Sequence, residues 1–195
     1  MNHAHNLQFL SAWLRNPRQA GALLPSGSRL AQAMAEQVDP GRGLVVELGV
    51  GTGAITRALI ERGVTPEQLI LVEKDPALFD EMERRFPGVV ALRGDAAHLG
   101  QLLKRAGVGR PGTLVSSLPL LSMTRQQRLR ILIQIFSSLG MGGVLVQFTY
   151  SPLSPIPDVL AAALGVSGRR VARVFSNLPP AAVWVYQVCN PRSSI

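Results

Sequence analysis

The sequence predicts an α/β fold built on a doubly wound, mostly parallel sheet. From Gly43 onward, short apolar runs rich in β-branched residues alternate with stretches of helical periodicity. Such alternation is typical of a parallel sheet that carries helices on both faces. The chain has 195 residues, of which 47% are hydrophobic, so it is large enough to bury a core on each side of the sheet.

Each strand is predicted where a short apolar run precedes a turn, and each helix where apolar residues recur on one face. The predicted strands are 44–48, 69–73, 89–92, 113–117, 144–148, 170–175 and 183–188. The predicted helices are 29–37, 54–62, 76–86, 97–105, one between Thr124 and Gly140, and 158–164.

Cap and turn residues limit several of these elements. Gly63 is placed to end the helix 54–62. Thr124 and Gln127 form a capping-box pattern, and the helix that follows has a predicted apolar stripe of Leu129, Leu132, Ile133 and Phe136. Because little helix separates the last two strands, they are predicted to form an antiparallel hairpin at one side of the sheet.

The chain is basic, with 20 Lys and Arg against 12 Asp and Glu and a formal net charge of +8. From Ala96 to the end, the only acid is Asp158. This excess favours an anionic partner such as nucleic acid, anionic lipid or a phosphorylated substrate. The single cysteine, Cys189, excludes an internal disulfide framework. No apolar run reaches the ~18–20 residues of a membrane span, and the first residues lack a secretory signal, so a cytoplasmic protein is expected.

A glycine-rich loop follows the first predicted strand and precedes a helix. Its glycines are Gly49, Gly51 and Gly53, which allow the backbone to turn sharply and to approach a ligand closely. The spacing alone also satisfies a dinucleotide-binding pattern. Glu47, at the end of the strand, suits a cationic group such as an amino-acid ammonium and is a poor neighbour for a pyrophosphate.

Two further acids follow the next strands. Glu73 ends the second strand, where its carboxylate can accept both hydroxyls of a ribose, and Asp95 follows the third strand, where it can accept a hydrogen bond from an adenine amine. An amino acid, a ribose and an adenine with no phosphate between them indicate S-adenosylmethionine. Taken alone, Asp95 is equally well explained as a helix N-cap.

With these motifs, residues 43–188 resemble the class I S-adenosylmethionine-dependent methyltransferases. The resemblance implies a Rossmann-like seven-stranded, mostly parallel sheet with the last strand antiparallel, and S-adenosylhomocysteine as the product. It assigns Gly49, Gly51 and Gly53 to the methionine side of the cofactor, Glu73 to the ribose, and Asp95 with Ala96 to the adenine.

The first residues have the composition of an interfacial membrane helix. Four apolar side chains share one helical face with two arginines nearby: Phe9, Leu10, Trp13, Leu14, Arg15 and Arg18. Burial of the apolar residues and attraction of the arginines to anionic lipid predict reversible membrane docking. The same stripe could instead pack on the core of the protein. We predict a helical membrane-docking segment at 1–42 and a methyltransferase domain at 43–195.

The loop after the fourth strand, 116–121, is expected to receive the methyl acceptor. Relatives that methylate adenine or amide nitrogen carry Asn or Asp here, followed by x-Pro and an aromatic residue. This chain has Ser117 and Leu120 at those two positions, which counts against nucleic acid because Leu120 cannot stack on a base.

Several stretches together resemble the bacterial phosphatidylethanolamine N-methyltransferases. They are residues 9–17, 21–26, 47–53, 117–121 and 148–152. The resemblance implies successive methylation of the ethanolamine headgroup to phosphatidylcholine, at an anionic membrane surface on the inner face of the cell membrane.

Tyr150 is the main candidate for orienting the amine, and Ser117 and the Leu118 carbonyl are further candidates. No metal is expected, because the three histidines have no partners at metal-ligand spacing. Two alternatives stay open: an RNA adenine N6-methyltransferase, and a non-catalytic membrane-binding protein with a nucleotide pocket.

Overall fold

The computed structural model describes residues 25–177 and 179–189. In this part of the chain, seven strands form one sheet: β1 (Val45–Leu48), β2 (Leu69–Glu73), β3 (Val90–Arg93), β4 (Thr113–Ser116), β5 (Val144–Thr149), β6 (Val166–Val174) and β7 (Ala181–Val188). Their order is β3-β2-β1-β4-β5-β7-β6. The first five strands are parallel to one another, whereas β7 is antiparallel to both β5 and β6. The predicted fold class is confirmed.

Within the described residues, six α-helices cover the two faces of the sheet. They are α1 (Pro25–Ala35), α2 (Ala54–Glu61), α3 (Pro76–Arg85), α4 (Leu99–Arg105), α5 (Arg125–Ser138) and α6 (Asp158–Ala163). Met34 of α1, Leu59 of α2 and Met82 of α3 pack in one core, while Leu103 of α4 and Leu132 of α5 pack in the other. The sheet is therefore doubly wound, as the alternating pattern predicted.

The central strands are buried along their whole length. Successive side chains alternate between the two cores, so Val45 and Leu69 lie on one side while Val46 and Ile70 lie on the other. Each such side chain contributes about 1.5–3 kcal/mol on burial. The loops that follow these strands therefore start from the most rigid part of the molecule.

Two elements begin four residues earlier than predicted, and the other predicted strand and helix limits differ by at most two residues. The helix predicted at 29–37 is α1, which begins at Pro25, because proline fits the first turn of a helix, where its missing N–H needs no partner. The strand predicted at 170–175 is β6, which begins at Val166. Residues 167–170 of this strand are exposed, because β6 lies at the outer edge of the sheet. The first part of the strand therefore has no apolar run by which the sequence could have predicted its start.

The predicted apolar stripe of α5 is only half correct. Leu132 and Phe136 are buried, but their buried companions are Ile131 and Ile135. The other two predicted members, Leu129 and Ile133, are exposed. This helix is rich in apolar residues, so both the predicted stripe and the observed one have helical spacing. Only the packing of the helix on the sheet determines which stripe is buried.

The parallel strands end at one edge of the sheet, which we call the carboxyl edge. Leu48 of β1 lies beside Val72 of β2 and Ser116 of β4, and Ser116 lies beside Gln147 of β5. At the other side of the sheet, Val174 of β6 reaches the same edge through its pairing with β7. The glycine loop, the acids and the acceptor loop therefore start from neighbouring strand ends.

The predicted membrane-docking residues lie outside the described residues: Phe9, Leu10, Trp13, Leu14, Arg15 and Arg18. Across residues 25–177 and 179–189, no helix has the length and apolar content needed to cross a bilayer.

Candidate cofactor and acceptor site

The three glycines of the loop after β1 have different surroundings. A Cβ atom on Gly53 would come within 2.6 Å of the Phe86 ring, and one on Gly49 would lie 3.0 Å from Leu118 Cδ2 and from Ser117 Oγ. Close packing therefore explains why no side chain is tolerated at Gly49 and Gly53. Gly51 has φ +55°, and no atom of the described residues lies within 4 Å of the position of a Cβ. Its backbone therefore borders open space that a side chain would fill.

Glu47 is fully buried at the end of β1. Its Oε2 accepts a hydrogen bond of 2.8 Å from Thr56 Oγ1, while Oε1 has no hydrogen-bond partner among residues 25–177 and 179–189. Burial raises the pKa of Glu47 to about 8, and the nearby Glu73 carboxylate adds to the increase, although the Thr56 hydrogen bond opposes it. A buried carboxyl with one unpartnered oxygen is suited to a cationic ligand.

Glu73 joins the end of β2 to the glycine loop. Its Oε2 accepts a hydrogen bond of 3.2 Å from the Gly51 N–H. Its Oε1 accepts from the N–H groups of Lys74 and Asp75, at 2.8 and 2.9 Å. Because Oε2 accepts only this one bond from the described residues, it has capacity left for a ligand hydroxyl.

Asp95 begins the short turn after β3. Its Oδ1 accepts from the Ala97 N–H at 2.9 Å, which is an N-cap bond, and its Oδ2 forms an ion pair of 2.8 Å with Lys74 Nζ. Burial alone would raise the pKa of Asp95, but the hydrogen bonds from Lys74 and Ala97 outweigh it, so the pKa lies below its usual value. Sequence reasoning identified the N-cap alternative and missed the ion pair with Lys74.

A pocket of about 370 Å³ lies at the carboxyl edge, between the ends of β1 to β3 and the start of α5. Four of the predicted cofactor residues line it: Gly49, Glu73, Asp95 and Ala96. Glu47, Gly51 and Gly53 are not among its lining residues, although Gly51 is bonded to Glu73.

Residues that sequence reasoning missed form another wall of this pocket. They are Lys74, Met123, Gln126, Gln127, Arg130 and Ile131. The sequence did indicate that this helix starts near the site. A helix that follows β4 must begin at the carboxyl edge, and the Thr124 cap marks where it begins. The pattern could not indicate which side chains of its first turns face the pocket.

The acceptor loop contacts the glycine loop directly. The Ser117 hydroxyl donates to the carbonyls of Gly49 and Leu48. Its single hydrogen is thereby engaged, so the lone pairs of Oγ are left to accept. The Leu118 carbonyl already accepts from Gln147 Nε2 at 3.0 Å and from the Leu120 N–H at 2.9 Å. Ser117 Oγ and the Leu118 carbonyl are the two predicted hydrogen-bond acceptors for the amine, and the geometry favours Ser117 Oγ.

Leu120, at the aromatic position of the adenine-modifying pattern, is buried in the core. Its side chain packs in the same core as Leu132 and Ile135, so it offers no surface on which a base could stack.

Tyr150 follows the end of β5. Its hydroxyl accepts a long hydrogen bond of 3.5 Å from Asn177 Nδ2, and its ring meets Phe148 edge to face at 5.5 Å. Burial raises the pKa of Tyr150 above its ordinary value, although the Asn177 hydrogen bond opposes the increase. The phenol is therefore protonated near neutral pH and cannot act there as a base. Tyr150 does not line the 370 Å³ pocket.

Comparison with proteins of known sequence gives one relative that matches along nearly the whole chain. This is an ornithine lipid N-methyltransferase from Singulisphaera acidiphila, 27% identical over 185 residues, which cover 90% of this chain and 92% of the relative. A ribosomal RNA small subunit methyltransferase A from Paramagnetospirillum magneticum is 31% identical over 103 residues, covering 48% of this chain and 36% of that protein. No family model matches the chain.

Solved structures show the same fold. The magnesium protoporphyrin IX methyltransferase from Synechocystis, with bound S-adenosylmethionine, aligns with a TM-score of 0.68 at 12% identity, covering 96% of this chain and 99% of that one. A Burkholderia thailandensis 1,6-didemethyltoxoflavin-N1-methyltransferase with bound S-adenosylhomocysteine aligns with a TM-score of 0.67 at 16% identity, covering 94% and 86%. In fold, and in sequence along nearly its whole length, this chain is therefore similar to S-adenosylmethionine-dependent methyltransferases.

Proposed function

We propose that this methyltransferase acts on the primary amine of a membrane lipid headgroup, converting phosphatidylethanolamine and its methylated intermediates to phosphatidylcholine. The observation that carries the proposal is the Ser117 hydroxyl, which is held against the Gly49 carbonyl and offers its lone pairs to an amine N–H. The lipid N-methyltransferase that matches 90% of the chain supports a lipid acceptor.

The residues around the glycine loop fit S-adenosylmethionine. In our proposal, the unpartnered Oε1 of Glu47 receives the positive charge of the methionine part, and the backbone of Gly51 lies against it. Glu73 binds the ribose through Oε2, while Asp95 and Ala96 border the adenine in the 370 Å³ pocket. Gly49 and Gly53 have a supporting role, because they allow the loop to pack on Ser117, Leu118 and Phe86.

When bound, S-adenosylmethionine would supply an electrophilic methyl carbon. In each round the headgroup ammonium first loses a proton to water, and its neutral nitrogen then bonds to that carbon while the carbon–sulfur bond breaks and sulfur keeps the electron pair. The protein's task is to orient a neutral amine. Ser117 Oγ accepts one N–H, which directs the nitrogen lone pair away from the hydroxyl. A hydroxyl that donated to the nitrogen would block that lone pair, and the Gly49 carbonyl prevents this by holding the hydrogen.

Tyr150 is proposed to present its ring and hydroxyl to the headgroup. Because it stays protonated near neutral pH, it orients the amine without removing its proton. A ring face also tolerates the growing methylated cation, to which a hydrogen-bond acceptor alone could no longer bind.

Docking on an anionic membrane at the inner face of the cell membrane completes the proposal. Besides the predicted helix in the first residues, Phe175 and Leu153 are 69% exposed at the carboxyl edge. Arg173 lies over the Phe175 ring at 5.1 Å, and Arg170 reaches the Pro152 carbonyl at 3.5 Å. Apolar side chains flanked by arginines are suited to an anionic lipid interface.

Methylation of RNA adenine is the second candidate, favoured by the ribosomal RNA methyltransferase that matches 48% of the chain. The buried side chain of Leu120 opposes it, because a flipped base needs a stacking surface at that position.

One assay separates the candidates. The purified protein is incubated with S-adenosylmethionine labelled in its methyl group and with vesicles of phosphatidylethanolamine, vesicles of ornithine lipid, or total RNA. We expect label in phosphatidylethanolamine vesicles. Label only in ornithine lipid would keep a lipid amine acceptor and change its identity, and label only in RNA would overturn the lipid proposal. Cofactor binding without label in any acceptor would favour a non-catalytic binding protein.

A further inference from the structure

We propose that Gln147 is a positioning residue for the methyl acceptor, because it holds the turn that keeps Ser117 against the glycine loop. This inference rests on the proposed amine methylation and adds a residue from β5 to the site. Gln147 is fully buried in β5 between the apolar residues Val146 and Phe148, where a glutamine is expected only if its amide has a specific partner.

The partners of the amide define its orientation. Nε2 of Gln147 donates to the carbonyls of Leu118, at 3.0 Å, and of Phe148, at 2.8 Å. Turning the amide over would set its oxygen against two carbonyl oxygens, so only one orientation is compatible with both contacts.

In this orientation, Oε1 of Gln147 is buried, and it has no hydrogen-bond partner in the part of the chain that the structure describes. An unpartnered buried oxygen lowers stability, and a leucine or methionine would avoid that loss. The Gln147 side chain lowers stability, yet it holds the loop after β4 at the carboxyl edge. This combination indicates a role in function.

The contact with Leu118 extends to Ser117. The Leu118 carbonyl also accepts from the Leu120 N–H. The turn 118–120 is therefore held by one hydrogen bond within it and by one from Gln147 on β5. The opposite side of this turn lies against Gly49, where a Cβ would be 3.0 Å from both Leu118 Cδ2 and Ser117 Oγ. Loss of the Gln147 bond would free the turn and shift Ser117 relative to the glycine loop.

The test compares three acceptors that differ in N–H count: phosphatidylethanolamine and its monomethyl and dimethyl derivatives. The neutral amine of the dimethyl lipid has no N–H, so it cannot use Ser117 as an acceptor. Gln147→Met removes the donor and keeps most of the volume. We expect kcat/KM to fall about tenfold for the first two acceptors, the equivalent of one lost hydrogen bond, and to change little for the third. Ser117→Ala should give the same pattern.

A double-mutant cycle provides the decisive comparison. If Gln147 acts through Ser117, the variant with both substitutions is no slower than Ser117→Ala alone. Equal losses on all three acceptors, or losses that multiply in the double variant, would overturn the inference. Gln187→Met is the matched control, because Gln187 lies on β7 and donates to the Gly142 carbonyl at 3.4 Å, away from the carboxyl edge.

Hydrogen exchange keeps the inference testable if no lipid amine proves to be a substrate. Gln147→Met should speed exchange of the Leu120 N–H while the affinity for S-adenosylmethionine stays within about twofold of the wild type. Unchanged exchange at Leu120 would reject the positioning role, whereas absence of lipid methylation by the wild type would reject the proposed function alone. If the methionine variant does not fold, Gln147→Asn tests the same bond, since its amide is too short to span the contact.

Discussion

The backbone N–H of Gly51 donates a hydrogen bond to Oε2 of Glu73 across 3.2 Å. This bond joins the loop after β1 to the acid that ends β2, so the two parts of the proposed cofactor site form one unit. The same carboxylate also fixes the Lys74 and Asp75 amides, and a change at Glu73 therefore acts on the loop as well as on the ligand.

We expect Glu73→Gln to raise the dissociation constant for S-adenosylmethionine at least roughly tenfold, because an amide NH₂ cannot accept from Gly51 or from a ribose hydroxyl. Isothermal titration calorimetry measures the effect. Glu83→Gln on the exposed face of α3 is the control and should bind as the wild type does. Normal affinity in Glu73→Gln would move the cofactor away from this carboxylate.

Glu47 predicts a dependence of stability on pH. Its pKa is raised from 4.5 to about 8 in the folded protein, so the folded state holds its proton more tightly than the unfolded state does. This contribution to stability is fully present below pH 4.5 and is lost as the pH rises through about 8. Urea unfolding between these limits should show the slope, and Glu47→Gln should remove it. An identical slope in the variant would assign the pH dependence to other groups.

Cofactor binding should respond to pH in the opposite direction. The ammonium of the methionine part favours the carboxylate form of Glu47, so we expect affinity to rise with pH up to about 8 and binding at neutral pH to release a proton. Calorimetry in two buffers of different ionisation enthalpy counts that proton. A count that is unchanged in Glu47→Gln would contradict the proposed contact.

Gly51 and Gly53 should respond differently to alanine. Both have positive φ, for which a side chain costs about 1–2 kcal/mol. At Gly53 the added methyl group also meets the Phe86 ring, so Gly53→Ala should lower the free energy of unfolding more. At Gly51 the methyl group enters open space, so Gly51→Ala should remain folded and lose S-adenosylmethionine binding. Normal binding by a folded Gly51→Ala would show that the cofactor does not approach this backbone.

Membrane docking predicts that Phe175→Ser and Trp13→Glu each weaken sedimentation with anionic vesicles, since each apolar side chain contributes up to about 1.5–3 kcal/mol on insertion. Raised salt should weaken binding further, because the arginines act through charge. Met141→Ser is the control, since Met141 is 65% exposed in the turn before β5, away from the carboxyl edge. Equal losses in the control and in Phe175→Ser would indicate a general loss of surface hydrophobicity. Unfolding of Trp13→Glu would instead place Trp13 in the core.

The sequence predicted the sheet well because strand periodicity depends on local pattern and burial. It predicted β2 to the residue and Thr124 as a helix cap, since both depend on neighbours in the chain. It placed the start of β6 four residues too late, because polar residues are tolerated in a strand at the sheet edge. It identified only half of the buried stripe of α5, where two apolar faces compete.

The candidate site was only partly accessible to the same reasoning. Strand ends and glycines gave Glu47, Gly51, Glu73 and Asp95, because their places follow from chain order. Two contacts of the site join residues far apart in sequence. The ion pair of Lys74 with Asp95 spans 21 residues, and the hydrogen bond from Gln147 to the Leu118 carbonyl spans 29. No pattern in a single chain indicates which of many polar side chains makes such a contact.

Opposite the carboxyl edge, the parallel strands begin at an edge that carries none of the proposed cofactor and acceptor residues in the described part of the chain. In the turn before β4, Gly109 and Arg110 are exposed, and a side chain on Gly109 would meet no atom within 4 Å. A tether or a fluorescent domain inserted between these two residues would project away from the proposed cofactor and acceptor site. The protein could thus be immobilised on a solid support with the carboxyl edge directed away from the support.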